Sequence, residues 1–124
     1  MIQQISTPAA PAAIGPYSQG IIANNFVYCS GQLPIDAATG DMPADIKEQT
    51  RQSLKNVQAV LAAAGLTLAN VVKTTVYLAD MSLFGPMNEV YGEIFADPYP
   101  ARSAYAVKEL PKKALVEIEV IAAL

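Results

Sequence analysis

Two carboxylates near the end of the chain are spaced for joint work. Glu117 and Glu119 alternate with Val116, Ile118 and Val120, so both point to one face of a strand. The plain reading of that alternation is a solvated strand face. The sharper one sequesters a carboxylate in a cleft between subunits, where it serves as a general acid or base. Arg102 follows Pro100-Ala101 and opens a strand read as the neighbour of the carboxylate strand. A guanidinium fork grips a carboxylate in a bidentate way that Lys cannot reproduce, so Arg102 is the natural anchor for a small acid. An Arg at a strand end is also an ordinary surface charge. Tyr17, after Gly15-Pro16, reads either as a packed aromatic with its hydroxyl at an edge or as a ligand contact. Gly31, after Ser30, is either turn punctuation or a point of close backbone approach.

The elements that must position these groups follow from periodicity. Residues 8–16, rich in Pro and Ala, read as an extended arm. Tyr17–Ile22 and Asn25–Ser30 form a hairpin about Ala23-Asn24, and Ser30-Gly31-Gln32-Leu33-Pro34 ends the second strand. Ile46, Thr50, Leu54, Val57, Leu61 and Ala64 step as the apolar stripe of a helix over about 43–64, with Gly65 as its C-cap. Val71–Ala79 is a β-branched and aromatic strand. A second helix runs from about Ser82 to Phe95, with Gly85-Pro86 in its first turn. Arg102–Val107 and Leu115–Ala122 are the last strands. This is an α+β domain in which two helices cover one face of a mixed sheet. The other face carries Leu115, Glu117, Glu119 and Ile121 with either Phe26, Tyr28 and Ser30 or Val27 and Cys29. It is too apolar to stay wet, so it is expected to meet other subunits.

Composition removes whole classes of chemistry. With 124 residues, 52 % apolar and 15 % charged, the chain reads as a single packed domain over 1–124. It contains no His, which excludes a Ser-His-Asp triad, a Cys-His pair and His-ligated zinc. Cys29 is the single cysteine, so no internal disulfide or Cys-rich metal site can form, and a reducing, cytoplasmic setting is the default. No secretory signal or membrane span is read in the sequence. Net charge is -3 and the lysines are scattered except for Lys112 and Lys113, a balance that argues against nucleic acid as a partner.

Four segments carry a resemblance: 13–20 (Ala-Ile-Gly-Pro-Tyr-Ser-Gln-Gly), Ser30-Gly31-Gln32, Pro100-Ala101-Arg102-Ser103 and Val116-Glu117-Ile118-Glu119. Together they resemble the Rid (YjgF/UK-type) family of imine deaminases, and its RidA branch above all. The resemblance implies a chorismate-mutase-like α+β fold, a homotrimer with three clefts between subunits, and hydrolysis of 2-iminopropanoate and 2-iminobutanoate to 2-keto acids and ammonia. It implies that Arg102 binds the substrate carboxylate, that Glu117 handles the catalytic water, and that Tyr17, Gly31 and Asn88 line the cleft. No cofactor and no metal are expected. Many members of the branch carry Cys where this chain has Ala104; a water held by the backbone carbonyl there would serve in either case. The competing classes are a trimer that holds small keto or amino acids without turnover and a protein- or RNA-directed activity.

Overall fold

In a computed structural model of the chain, which describes residues 1–124, the stripe through Thr50, Leu54, Val57 and Leu61 forms helix α1 (Ile46–Ala62). Its start is set by Asp45, whose Oδ1 accepts from the Glu48 amide at 2.8 Å. That side chain satisfies an amide with no partner inside the helix, so the helix begins after Pro43, not at it. At the far end Gly65, at φ 77°, lets its own amide reach Ala62 O and the Leu66 amide reach Leu61 O, both at 2.9 Å. The second helix, α2 (Phe84–Ile94), begins after a tight turn over Met81–Leu83, and Asp80 caps that turn through the Ser82 amide at 2.8 Å.

Six strands make one sheet: β1 (Gln3–Ile5), β2 (Gly20–Ala23), β3 (Phe26–Gln32), β4 (Val71–Leu78), β5 (Ala101–Ala106) and β6 (Val116–Ala123). They lie in the order β1-β2-β3-β6-β4-β5. Only β4 and β5 pair in parallel; every other neighbour is antiparallel. Both helices lie on one face. Val116, Ile118, Val120 and Ala122 of β6 join Val27 and Cys29 of β3 and Leu54, Val57 and Leu61 of α1 in a single core. Burying each large aliphatic side chain there stabilises the fold by roughly 1.5–3 kcal/mol. No helix is long and apolar enough to cross a membrane.

The opposite face is open. It displays Phe26, Tyr28 and Ser30 from β3, Tyr77 from β4, and Glu117, Glu119 and Ile121 from β6, with Phe26 37 % and Tyr28 45 % exposed. The alternative set, Val27 and Cys29, is the one turned into the core.

Several expectations need correction. A strand at Gln3–Ile5, absent from the sequence reading, pairs with β2 and makes one edge of the sheet. Its three residues are too few for a periodic signal. Tyr17 does not open β2; it lies in the bend before it, its amide bonded to Gly15 O at 2.9 Å. The hairpin turn is Asn24-Asn25, at φ 52° and 66°, and not Ala23-Asn24. Asn tolerates the left-handed region that a two-residue hairpin demands. β3 also continues through Ser30-Gly31 to Gln32, with a register shift against β6 between Cys29 and Gln32. A bulge there absorbs residues that looked like a strand break. Most consequential, Arg102 is not on the strand beside β6, because β4 runs between β5 and β6.

Candidate active site in two halves

One half forms on the open face around Glu117. The bulge in β3 brings Gly31 against the carboxyl: a methyl at position 31 would lie 2.9 Å from both Cδ and Oε2 of Glu117. Gly31 is therefore a point of close approach, where any side chain would displace the acid. Glu117 is half-buried and accepts no hydrogen bond within the chain. Burial raises its pKa above the ordinary carboxylate value, and the neighbouring charge of Glu119 adds to the effect. Glu119 is engaged differently, as the acceptor for the Tyr77 hydroxyl. That bond pushes the Tyr77 phenol well above its usual range, and Tyr105 of β5 meets the Tyr77 ring edge-on at 5.6 Å. A cleft of about 910 Å³ opens over Glu117 and is walled by Pro11, Ile14, Tyr17, Gly31 and Lys112.

The other half lies on the helix-covered side, at the β5 edge. Arg102 pairs with Thr74 and Glu117 pairs with Tyr77 across opposite sides of β4. Thr74 is buried towards the helices, where its Oγ1 and the Tyr91 hydroxyl stand 2.8 Å apart, whereas Tyr77 faces outward. Positions an odd number apart on a strand point to opposite faces, so Arg102 and Glu117 of one chain cannot meet. Arg102 instead spreads over α2. Its Cζ sits 4.7 Å from the Tyr91 ring centre and 5.3 Å from that of Phe84, and Nη1 donates to Asn88 Oδ1 at 2.7 Å. Stacking and one hydrogen bond hold the guanidinium plane while leaving its remaining donors free. Tyr99 and Gly92 complete a depression of about 490 Å³.

Ala104 lies two residues along β5, with its methyl packed against the core. The Val107 amide donates to Leu78 O at 2.9 Å. By the alternation of a strand, Ser103 and Tyr105 then turn their backbone groups to β4, and Arg102, Ala104 and Ala106 turn theirs out of the sheet edge. The Ala104 carbonyl is thus presented outward, beside the Arg102 half.

The structure brings Tyr17, Gly31 and Glu117 together, and separately brings Arg102, Asn88 and Ala104 together. It does not bring the two groups to one place within a chain. Sequence reasoning missed the Tyr77 bond to Glu119, which depends on a long-range register. It also missed Pro11 and Ile14 as cleft wall and Lys112, held at φ 57° beside Lys113 at φ 59° on the cleft rim. The adjacent Pro111 was the available signal of a forced turn.

Two half-sites thus lie on opposite faces of one mixed sheet. The family model described as Endoribonuclease L-PSP matches residues 7–124. A RutC family protein of Pyrococcus horikoshii is 54 % identical over 123 residues, covering 98 % of each chain. The 2-iminobutanoate/2-iminopropanoate deaminase of Escherichia coli is 46 % identical over 125 residues, again covering 98 % of each. A crystal structure of a Rid-family protein of unknown function from Yersinia pestis superposes with a TM-score of 0.97 at 48 % identity over 100 % of both chains. The chain belongs to the Rid (YjgF) family.

Proposed function

We propose that this chain hydrolyses small 2-imino acids such as 2-iminopropanoate and 2-iminobutanoate to 2-oxo acids and ammonia, in clefts shared between neighbouring copies. The observation that carries the reading is the separation of Arg102 from Glu117 onto opposite faces of the sheet. An anchor and an acid–base group of one reaction must converge on one substrate. Here that requires the Tyr17–Gly31–Glu117 half of one protomer to receive the Arg102–Asn88 half of the next. Such a head-to-tail contact is finite only when it closes as a ring, and the family resemblance gives that ring three members. The imine deaminase name of the 46 % identical relative supports the chemistry.

The steps balance with water alone. The Arg102 fork binds the substrate carboxylate, with Asn88, Tyr91 and Phe84 fixing its plane. A water placed between Glu117 and the outward carbonyl of Ala104 adds to the imine carbon, giving up its proton to Glu117. Glu117 returns that proton to the nitrogen to give a carbinolamine, then takes the carbinolamine's hydroxyl proton and delivers it to the nitrogen as the C–N bond breaks, releasing ammonia and leaving the oxo acid. Burial, with the Glu119 charge beside it, makes this carboxyl hold a proton more readily than an ordinary one, which suits the shuttle. No metal or cofactor takes part in these steps.

RNA cleavage, the activity that the family model's description names, finds no support in the cleft. Its acidic lining of Asp36, Glu117 and Glu119 opposes a phosphate backbone, and the chain contains no His.

The test is a coupled assay in which a pyridoxal-phosphate-dependent dehydratase generates the imine. Adding the protein should speed ammonia and oxo-acid release above the spontaneous rate. Saturable binding of 2-oxobutanoate with no acceleration would favour a ligand-holding role instead.

A further inference from the structure

The wall of the Glu117 cleft is an arm with almost no attachments of its own. Residues 6–14 contain two prolines, Pro8 and Pro11, and no backbone–backbone hydrogen bond reaches them. Pro11 and Ile14 nevertheless line the cleft, and Ile14 is 84 % exposed. What ties this segment to the body is the buried Ala10 methyl and the side chain of one residue, Gln19, itself only 4 % exposed.

The Gln19 carboxamide uses both ends. Its Oε1 accepts from the Thr7 amide at 2.7 Å. Its Nε2 donates to Thr7 O at 3.1 Å, Ala10 O at 3.3 Å and Pro11 O at 2.8 Å. The backbone of the same residue reaches the other wall, since Gln19 O accepts from the Ser30 amide at 2.9 Å. Ser30 Oγ donates to Ser18 O at 2.6 Å, and Ser30 adjoins the Gly31 that abuts Glu117. Gln19 therefore joins the arm to the strand that seats the acid.

We infer that Gln19 is a positioning residue, a latch that holds the proline arm as a fixed wall of the Glu117 cleft so that substrate binding does not have to order it. The inference rests on the imine-hydrolase reading for its kinetic arm only. An unlatched arm would be ordered at each binding event, and that cost appears in KM more than in kcat, because Glu117 and Arg102 keep their places.

The experiment compares wild type with Gln19→Met, which keeps the size but removes every side-chain hydrogen bond to the arm, and with Pro8→Gly, which loosens the arm from outside the core. NMR amide exchange at Thr7 reads the latch, and imine hydrolysis reads KM against kcat. The expected result is faster Thr7 exchange in both variants. KM should rise about tenfold in Gln19→Met and less in Pro8→Gly, with kcat within about threefold of wild type. Unchanged Thr7 exchange in Gln19→Met overturns the latch. Faster exchange with an unchanged KM, or an equal loss confined to kcat, overturns the positioning role. If Gln19→Met does not fold, Pro8→Gly alone decides: faster exchange with a raised KM supports the latch, and a wild-type KM refutes it. A wild type that hydrolyses no imine refutes the catalytic reading, and the Thr7 exchange comparison then still decides whether the latch exists.

Discussion

Arg102 and Glu117 sit on opposite faces of one sheet, separated by β4, whose Thr74 pairs with the first and whose Tyr77 pairs with the second. Each residue nonetheless has its own prepared surroundings. The guanidinium is stacked and hydrogen-bonded on α2, and the carboxyl rests against a glycine in a bulge.

Replacing the anchor tests the first half. Arg102→Lys is expected to lose nearly all imine hydrolysis while the assembly stays intact. A bidentate charged contact contributes on the order of 2–4 kcal/mol to transition-state binding, and Lys supplies neither the fork nor the stacking plane. Steady-state kinetics with light scattering checks this; wild-type kcat/KM in the variant would remove Arg102 from the site.

The two carboxylates should part company. Glu117→Gln is expected to lower turnover by about 100- to 10,000-fold, the usual range for a lost general acid–base group. Glu119→Gln should cost much less but move the acid limb of the pH–rate profile to lower pH, because removing its charge lets Glu117 ionise sooner. Equal losses in both variants would mean that the wrong carboxylate has been assigned the proton.

Glu117 also makes a stability prediction. Its pKa is raised in the folded state, so folding favours the protonated form. The resulting destabilisation is absent below the unfolded pKa and grows as pH rises to the folded pKa. Glu117→Gln should therefore melt higher than wild type at neutral pH and no higher in acid. Thermal melts at both pH values read this directly, and an unchanged difference across pH would contradict it.

Gly31→Ala probes the close approach without replacing a functional side chain. Its methyl would meet the Glu117 carboxyl at 2.9 Å. A displacement of the order of 1 Å can cost about 100-fold in rate. Turnover should fall by that order with little change in melting temperature, and a fully active variant would show that Glu117 does not need its present seat.

Thiol reagents should leave the native protein untouched. Cys29 is buried in the core, and burial together with the Glu119 charge pushes its pKa up to about 12. Intact-mass measurement after alkylation at mildly basic pH should find no adduct until denaturant is added.

Much of the fold was legible because it is written in local periodicity. The stripe of α1, the Gly65 turn, the β-branched run of β4 and the alternation of β6 each declare themselves within a few residues. The face of β3 was left open between two sets, and only the pairing Cys29↔Val120 decides it. Strand order was not legible: nothing near Arg102 reveals that its strand pairs with β4 in parallel and not with β6. The site was readable as residue types, yet its division into halves depends on that order. Tyr77 and Gln19 escaped for the same reason, since their partners lie 42 and 8 to 12 residues away.

The central claim is that a working cleft takes Glu117 from one chain and Arg102 from its neighbour, and subunit mixing tests it most directly. Arg102→Ala and Glu117→Gln proteins, each inactive alone, would be unfolded together, refolded at equal concentration and assayed. In a mixed ring of three, one cleft pairs an intact Glu117 with an intact Arg102, so about a quarter of wild-type activity should return when chains mix at random. No recovery from rings shown by mass spectrometry to be mixed would place both residues in the same chain's site and contradict the account.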